Sequence, residues 1–589
     1  MQQDSGKNIF RQLWNSKDIK PIGLIVGAVL FVLVLNVLGE MRMNTWQGEF
    51  FRAIEKKDIP QVGTQSAIFV IIMVILLSFI VTQNWLLEQF KIRFRKWLSS
   101  HLIDEWIKPG RAYRLNIVSK ESLNPDQRIQ EDVKHFSELT GDLALGAFRA
   151  SLFLLTFVGV LWSMSQGVIF NLGNMTVSIP GYMVWFAVIY ALLGSFLATR
   201  VGRPLIKLNE ERYTREANLR YALVRVSDNA EGIAFYGGEK DERKILDDQL
   251  NLTLNIMRRL SFAQARLTWI ACGHGWMVVI LPVLVALPAY LQGRLDFGGL
   301  MMAVGAFNHV QQSLRWFVEN YSRIADWKSV LNRVSHFEEE LTTIDSVRTD
   351  IPQVEVLTHR THYSMESTCI TSADGKSIVD NASMHILLGD RILLTGDSGA
   401  GKSTILRVLA GIWPWGTGKI SIPPPTSTMF LPQKPYVPLG TLLDAVAYPL
   451  SSAQIDKKKI LAALERVNLS EFQPLADQNI RWDKLMSLGQ QQRLAFARLL
   501  IHRPQWIFLD EATSALDENN QKNVMSIFNN ELRTSTLVSV GHRLSLAEFH
   551  SQIFEVVNTD DGRVLRRKSK EPSSSGMPLP VVASTNDLI

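Results

Sequence analysis

Six stretches of the chain are apolar enough, or nearly so, to lie in a bilayer. They are Ile22–Leu38, Ser66–Leu87, Leu143–Met164, Met183–Leu197, Trp269–Leu291 and Gly298–Phe317. A helix of about 20 residues, rising 1.5 Å per residue, crosses roughly 30 Å of hydrocarbon. The sixth stretch carries Asn308, His309, Gln311 and Gln312, so hydropathy alone does not require it. No small-residue cleavage site ends the first stretch, which reads as a retained helix rather than a signal peptide. Beyond residue 345 the pattern changes. Short apolar runs alternate with helix-like segments, which predicts a mostly parallel α/β domain. The predicted organisation is a polar cytoplasmic segment 1–20, a transmembrane domain 21–345 with six helices and long cytoplasmic loops, an α/β domain 346–566 and a Pro/Ser-rich disordered tail 567–589.

Charge gives the orientation. Residues 88–142 carry ten Lys/Arg and residues 198–268 carry thirteen, whereas 165–182 carries none and 292–297 only Arg294. Basic loops stay in the cytoplasm, so both long loops and both termini are placed there. The few glycines and prolines at the junctions predict that the membrane helices continue into these loops. The net charge of +6 is modest for 589 residues. Its clustering in loops reads as topology, and no aromatic-interleaved basic stripe points to nucleic acid. Cys272 and Cys369 are the only cysteines and form neither a disulfide framework nor a metal-ligand pattern. His274, flanked by Gly273 and Gly275, reads as a satisfied buried histidine. The Asn308–Gln312 group reads as the lining of a water-filled path, because polar groups in a membrane are costly unless they face a cavity.

The chemistry is in the second half. Gly396-Asp397-Ser398-Gly399-Ala400-Gly401-Lys402-Ser403 follows the apolar run Ile392–Leu394 and precedes a helix-like segment from Thr404. Strand, glycine-rich loop and helix with the spacing G-x-x-x-x-G-K-S make a phosphate-binding loop. Its backbone N–H groups curl around a polyphosphate, and the helix N-terminus adds positive potential. Lys402 is suited to the outer phosphates and Ser403 to Mg²⁺. The apolar strand before Asp510-Glu511 is a second phosphate-linked motif. It sets Asp510 beside the metal and Glu511 where a carboxylate would polarise an attacking water.

Between them stands Met486-Ser487-Leu488-Gly489-Gln490-Gln491-Gln492-Arg493, which resembles the ABC-transporter ATPase signature. Leu488 replaces the usual first glycine and Met486 the usual leucine. In the same order, Gln433 matches the Q-loop, Ser514-Ala515-Leu516-Asp517 the D-loop, and His542 the switch histidine. The family's adenine-stacking aromatic falls at Ile370 or Thr371, and Tyr363 is the nearest aromatic upstream. The membrane half resembles one branch of that family. Asn124-Pro125-Asp126-Gln127-Arg128-Ile129-Gln130-Glu131-Asp132 is similar to its NPDQRI segment. Asn44-Thr45-Trp46, Phe50-Phe51, Glu216–Tyr221, Glu231–Tyr236 and Leu431–Tyr436 are further matches. That branch holds the peroxisomal fatty-acyl-CoA half-transporters of subfamily D and bacterial relatives that include SbmA/BacA-type peptide uptake proteins.

The resemblance implies an exporter-like six-helix transmembrane domain fused to an α/β P-loop ATPase domain, working as a homodimer with ATP and Mg²⁺. It assigns Gly396 to Thr404 to ATP, Ser403, Asp510 and Gln433 to the metal environment, Glu511 to the general base and His542 to the γ-phosphate. Ser487, Gly489 and Gln490 serve ATP bound to the opposite subunit. The expected activity is ATP-driven movement of peptides or other bulky hydrophilic solutes across a bacterial inner membrane, in contact with its lipid, most simply uptake. The alternatives are an acyl-CoA or lipid-type exporter and a membrane-anchored ATPase that regulates a partner.

Overall fold

The computed structural model describes residues 5–118, 124–172, 175–344, 352–358, 360–541, 544–559 and 562–568. Contacts divide the chain into two units, residues 1–106 with 123–341, and residues 107–122 with 342–589.

The first unit is helical. Helix α1 (Ser5–Asn15) precedes α2 (Ile19–Glu55) and α3 (Ile59–Trp106). Residues Ser5–Asn15 of the polar N-terminal segment are thus a helix. Its Ile9 and Leu13, four residues apart on one face, are buried. After α4 (Arg111–Val118), which belongs to the second unit, come a single turn α5 (Pro125–Gln127), a π-helical turn Arg128–Asp132 and α6 (Val133–Met164). Strands β1 (Phe170–Leu172) and β2 (Met175–Val177) pair antiparallel before α7 (Tyr182–Asp228). Helices α8 (Ala230–Tyr236), α9 (Glu239–Leu291), α10 (Phe297–Glu319) and α11 (Tyr321–Thr343) complete the unit. Among the described residues, α2, α3, α9, α7 and the helical run Pro125–Met164 are long and apolar enough to cross a membrane. All of them run well past their apolar stretches, as the sparse breakers predict.

The sixth expected crossing, α10, is a 23-residue helix that fails on apolarity and not on length. It packs against α2, α6, α7 and α9; of its polar side chains Gln311 is buried, Asn308 and His309 are half-buried and Gln312 is exposed. Glycines allow the approach. A Cβ on Gly298 would collide with the Gly48 carbonyl, and one on Gly305 with Asn44.

The second unit is built on a ten-stranded sheet. In chain order its strands are β3 (Glu355–Leu357), β4 (Tyr363–Thr371), β5 (Ser377–Ile386), β6 (Arg391–Gly396), β7 (Gly416–Ser421), β8 (Thr428–Leu431), β9 (Trp506–Asp510), β10 (Thr536–Val540), β11 (Gln552–Thr559) and β12 (Gly562–Lys568). The spatial order is β3-β7-β4-β5-β12-β11-β6-β10-β9-β8. From β11 to β8 neighbours are parallel. Both faces of this part are covered. Ile507 and Leu509 pack into one core and Trp506 and Phe508 into the other, as alternation along a strand requires. Helices α12 (Lys402–Leu409), α13 (Leu442–Ala447), α14 (Lys457–Arg466), α15 (Trp482–Leu485), α16 (Leu488–His502) and α17 (Glu518–Ser526) connect the strands. Strand β12 carries Arg567 and Lys568, two residues past the expected start of the tail, and 569–589 lies outside the described residues.

The described part of the segment from residue 107, residues 107–118, sits in the α/β unit although the sequence places it in a loop between membrane helices. Tyr113 and Ile117 of α4 pack against the core that contains Ile392, Leu394 and Ile405. The chain therefore passes from the helical unit to the α/β unit and back within this loop. Pro109-Gly110, with Gly110 at φ +70, ends the long helix before it.

Candidate functional site

The parallel strands fix the site by register. Leu394 on β6 pairs with Val540 on β10, and Val540 pairs with Asp510 on β9. The loop after β6 and the acid at the end of β9 thus share one end of the sheet, one strand apart, where parallel sheets bind ligands. Loop residues Asp397, Ser398 and Gly399 are exposed, Ala400 is buried, and Gly396, Gly399 and Gly401 have φ of +136, +77 and +97. Gly401 starts α12, and a Cβ there would lie 2.9 Å from Ile378 Cγ2, so glycine is needed both for conformation and for space. Lys402, Ser403 and Thr404 form the first turn of α12, whose N–H groups lack intrahelical partners.

Lys402 Nζ donates to the carbonyls of Gly396 at 2.8 Å and Asp397 at 2.6 Å, which holds the ammonium over the loop. Burial pulls it below the usual lysine range, against Glu511, Asp397 and Asp510. Ser403 Oγ donates to Asp510 Oδ1 at 2.8 Å. Burial pushes Asp510 above the ordinary carboxylate range, while the Ser403 bond and Arg407 work the other way. Next to it Glu511 has φ +49, an uncommon conformation for a non-glycine residue. Its Oε2 accepts from Gln433 Nε2 at 3.0 Å. Gln433 lies exposed two residues beyond β8. The loop, Asp510, Glu511 and Gln433 thus converge at one end of the sheet.

The signature opens a helix. Ser487 is the N-cap of α16, accepting from Gln490 N at 3.3 Å while Gln490 Oε1 accepts from Ser487 N at 2.8 Å. The Gln490 amide also donates to Glu471 Oε1 at 2.9 Å, so this side chain is engaged within its own chain. Leu488 occupies the first helical position and is 41% exposed. Gly489 meets the D-loop, where a Cβ would lie 2.8 Å from Ala515 O.

Strand β10 ends two residues before His542, which lies outside the described residues. Tyr363 is 2% exposed, shares a hydrogen bond with Thr428 Oγ1 at 3.0 Å and packs edge-on to Trp506 and Phe508. It belongs to the core and offers no face to a base. Ile370 is fully buried as well.

Comparison with known proteins agrees with this geometry. The family model for ABC transporter transmembrane region 2 matches residues 14–291, and that for ABC transporter matches 379–514. An ABC transporter ATP-binding protein from Synechocystis is 34% identical over 502 residues, 83% of this chain and 73% of that protein. The inner membrane ABC transporter ATP-binding protein YddA of Escherichia coli is 30% identical over 539 residues, covering 91% and 94%. The lysosomal cobalamin transporter ABCD4 of Homo sapiens is 27% identical over 603 residues, covering 94% of each. The chain belongs to the ABC transporters, as a subfamily D-like half-transporter. The fold of a bacterial Atm1-family ABC exporter with ATP bound matches at a TM-score of 0.71 and 17% identity, covering 92% of this chain and 94% of that one. As a family member the half-transporter binds ATP and couples its hydrolysis to transport.

In the membrane half of this half-transporter the NPDQRI-like segment is a structural clamp. Asn124 precedes α5 with φ +38, but its side chain makes no capping bond. Asp132, almost fully buried, accepts from Arg128 Nη1 at 2.5 Å and from Arg333 Nη2 of α11 at 2.8 Å. The π-helical turn Arg128–Asp132 lies at this clamp. Trp46, another matched residue, donates to Gln65 O at 2.8 Å and stacks on Phe50.

The polar residues of α10 divide. Gln311 is buried and donates to Ala187 O at 2.5 Å. His309 stacks on Phe157 at 4.2 Å, with Nε2 3.9 Å from Glu40 Oε2 of α2. Asn308 Oδ1 and both side-chain atoms of buried Asn36 have no protein partner. His274 is half-buried rather than buried, stacked on Tyr190 at 4.0 Å and bonded to its carbonyl at 3.3 Å.

Proposed function

We propose that the half-transporter works as a homodimer that moves peptides or other bulky hydrophilic solutes across a bacterial inner membrane, in the uptake direction. The observation that carries the dimer is the signature. Ser487 and Leu488 are exposed at the start of α16, open to ATP held by a second copy. One chain also brings one set of membrane helices and one ATPase domain, where the family's working unit has two of each. Kinship with the inner membrane protein YddA supports the location, with the basic loops, both termini and the ATPase domain in the cytoplasm.

In this reading the amides of 396–404 and Lys402 hold the phosphates. The residues fit Mg²⁺: Ser403 and Asp510 supply one hydroxyl and one carboxylate 2.8 Å apart that would hold it, with Gln433 reaching the neighbouring acid Glu511. Bound there, the ion neutralises charge on the β- and γ-phosphates. Glu511 accepts the proton of the attacking water, and Gln433 orients Glu511 through the 3.0 Å bond. His542 contacts the γ-phosphate. Ser487, Gly489 and Gln490 close on the opposite nucleotide. Closure of the pair moves the long helices that extend from the bilayer, and hydrolysis resets them. The amide of Asn36 and the Asn308 Oδ1, which have no protein partner, line the solute path, where water or solute satisfies them.

The test is ATP-driven flux in inside-out and right-side-out vesicles with a peptide and an acyl-CoA. Peptide moving toward the ATPase side supports the reading. Movement of acyl-CoA alone gives the cargo to the other branch, and ATPase activity without flux of either leaves a regulatory ATPase.

A further inference from the structure

Three consecutive glutamines follow Gly489, and each does something different. Gln490 caps its own helix. Gln491 donates to the carbonyls of Asp483 at 3.0 Å and Met486 at 2.9 Å, fastening α16 to the segment before it. Gln492 points into the ATPase core with no exposed surface. Its Nε2 donates to Gln433 O at 2.9 Å and to Ser514 Oγ at 3.2 Å, and its Oε1 accepts from Ala515 N at 3.0 Å. Both N–H groups and the carbonyl of one amide are thereby used, on two different motifs.

We propose that Gln492 is a positioning residue that ties the Gln433–Glu511 pair to the signature helix and the D-loop, so that what one ATP site does is felt at the other. This rests on the composite-site reading above. Gln433, held by its backbone carbonyl, presents its side chain to Glu511 Oε2 in its own site. Ser514 N donates to Glu511 O at 3.0 Å, so the D-loop is also bound to the second acid. Gly489, three residues before Gln492 on the same face of α16, lies so close to the D-loop that a Cβ on it would meet Ala515 O. The signature helix thus meets the D-loop at three points, Ser514 Oγ, Ala515 N and Ala515 O, and the Q-loop at one. A shift of α16 or the D-loop, driven by nucleotide on the partner, moves the backbone of Gln433 and the approach of Glu511 to its water. A buried amide with both donors and its acceptor engaged suits this task, because it fastens the segments it joins in one arrangement.

The test uses the full-length protein in lipid nanodiscs. Gln492→Glu keeps the shape and the acceptor for Ala515 N but loses both donors. We expect kcat to fall about tenfold or more with KM for ATP within about twofold, the split of a group acting through the catalytic pair. The Hill coefficient for ATP should fall toward about 1. In a Gln433→Ala background the same substitution should cost little more, because the pair it positions is already gone. Ser514→Ala, which removes one of the three contacts, should give a smaller change of the same kind. Additive losses in the double variant, or an unchanged kcat in Gln492→Glu, would overturn the proposal. So would a kcat loss that matches the loss of folded protein by thermal melt. The kcat split and the double variant report on the positioning within one chain. A wild-type Hill coefficient near 1, with no ATP-dependent dimer closure in Glu511→Gln, would instead overturn the composite-site reading on which the coupling depends.

Discussion

Gln433 Nε2 donates to Glu511 Oε2 at 3.0 Å across 78 positions of sequence. The bond places a neutral donor on the acid that the proposed function makes the general base. Glu511→Gln removes the proton acceptor and keeps the shape. Hydrolysis is expected to fall about 10²–10⁴-fold, the usual worth of general-base catalysis, with ATP binding retained. Cross-linking of two copies in the presence of ATP should then report a persistent closed dimer. Normal turnover would take the role from Glu511.

Asp510 is held above its ordinary pKa chiefly by burial. A raised folded-state pKa means the carboxylate costs stability where it is charged, and the cost is relieved as pH falls through that pKa. Asp510→Asn should therefore raise the melting temperature of the nucleotide-free protein near neutral pH. The gain should shrink as the medium is acidified through the carboxylate range, while Mg²⁺-dependent ATPase activity is lost at every pH. A melting curve unchanged at neutral pH would refute the burial argument.

Gly489 and Leu488 are neighbours with opposite tolerance. A Cβ on Gly489 would press on Ala515 O, and such overpacking costs about 1–3 kcal/mol. Gly489→Ala should lower thermal stability and Leu488→Ala should not, since the leucine side chain is 41% exposed. Thermal melts of the two variants side by side decide it.

Asp132 lies between Arg128 and Arg333. Arg333→Met leaves a buried carboxylate with one partner in place of two. A loss of roughly 1–3 kcal/mol is expected, the usual cost of stranding part of a buried polar group. Double-mutant melts with Asp132→Asn should recover most of it, and a simple sum of the two losses would show that the clamp is not the cause.

Asn308→Ala and Asn36→Leu alter side chains that have atoms without protein partners. Their expected signature is a changed ratio of peptide to acyl-CoA flux. An unchanged ratio would make both residues structural.

Much of the site is legible in the residue pattern. Gly396–Ser403 and the pair Asp510-Glu511 each lie in one short run of sequence beside an apolar strand. Spacing therefore carries nearly all the information. The five apolar helices are legible because bilayer solvation is a local property of the chain. Helix α10 is nearly invisible to hydropathy, since Gln311 is covered fully and Asn308 and His309 in part only once the chain is folded, which composition does not record. Tyr363, a nearby aromatic in sequence, proves to be core because Trp506 and Phe508 close around it.

The sequence by itself determined the two chemistries, a bilayer-crossing half and a phosphate-binding half, because each is written in local pattern. Only the tertiary structure decided who holds whom. It brought Ser403 to Asp510, Gln433 to Glu511 and Arg333 to Asp132, and it gave three adjacent glutamines three separate tasks. It also moved residues 107–118 into the ATPase unit. Hydrogen bonds of an amide depend on which groups the fold sets within about 3 Å, and residue type and spacing do not specify that.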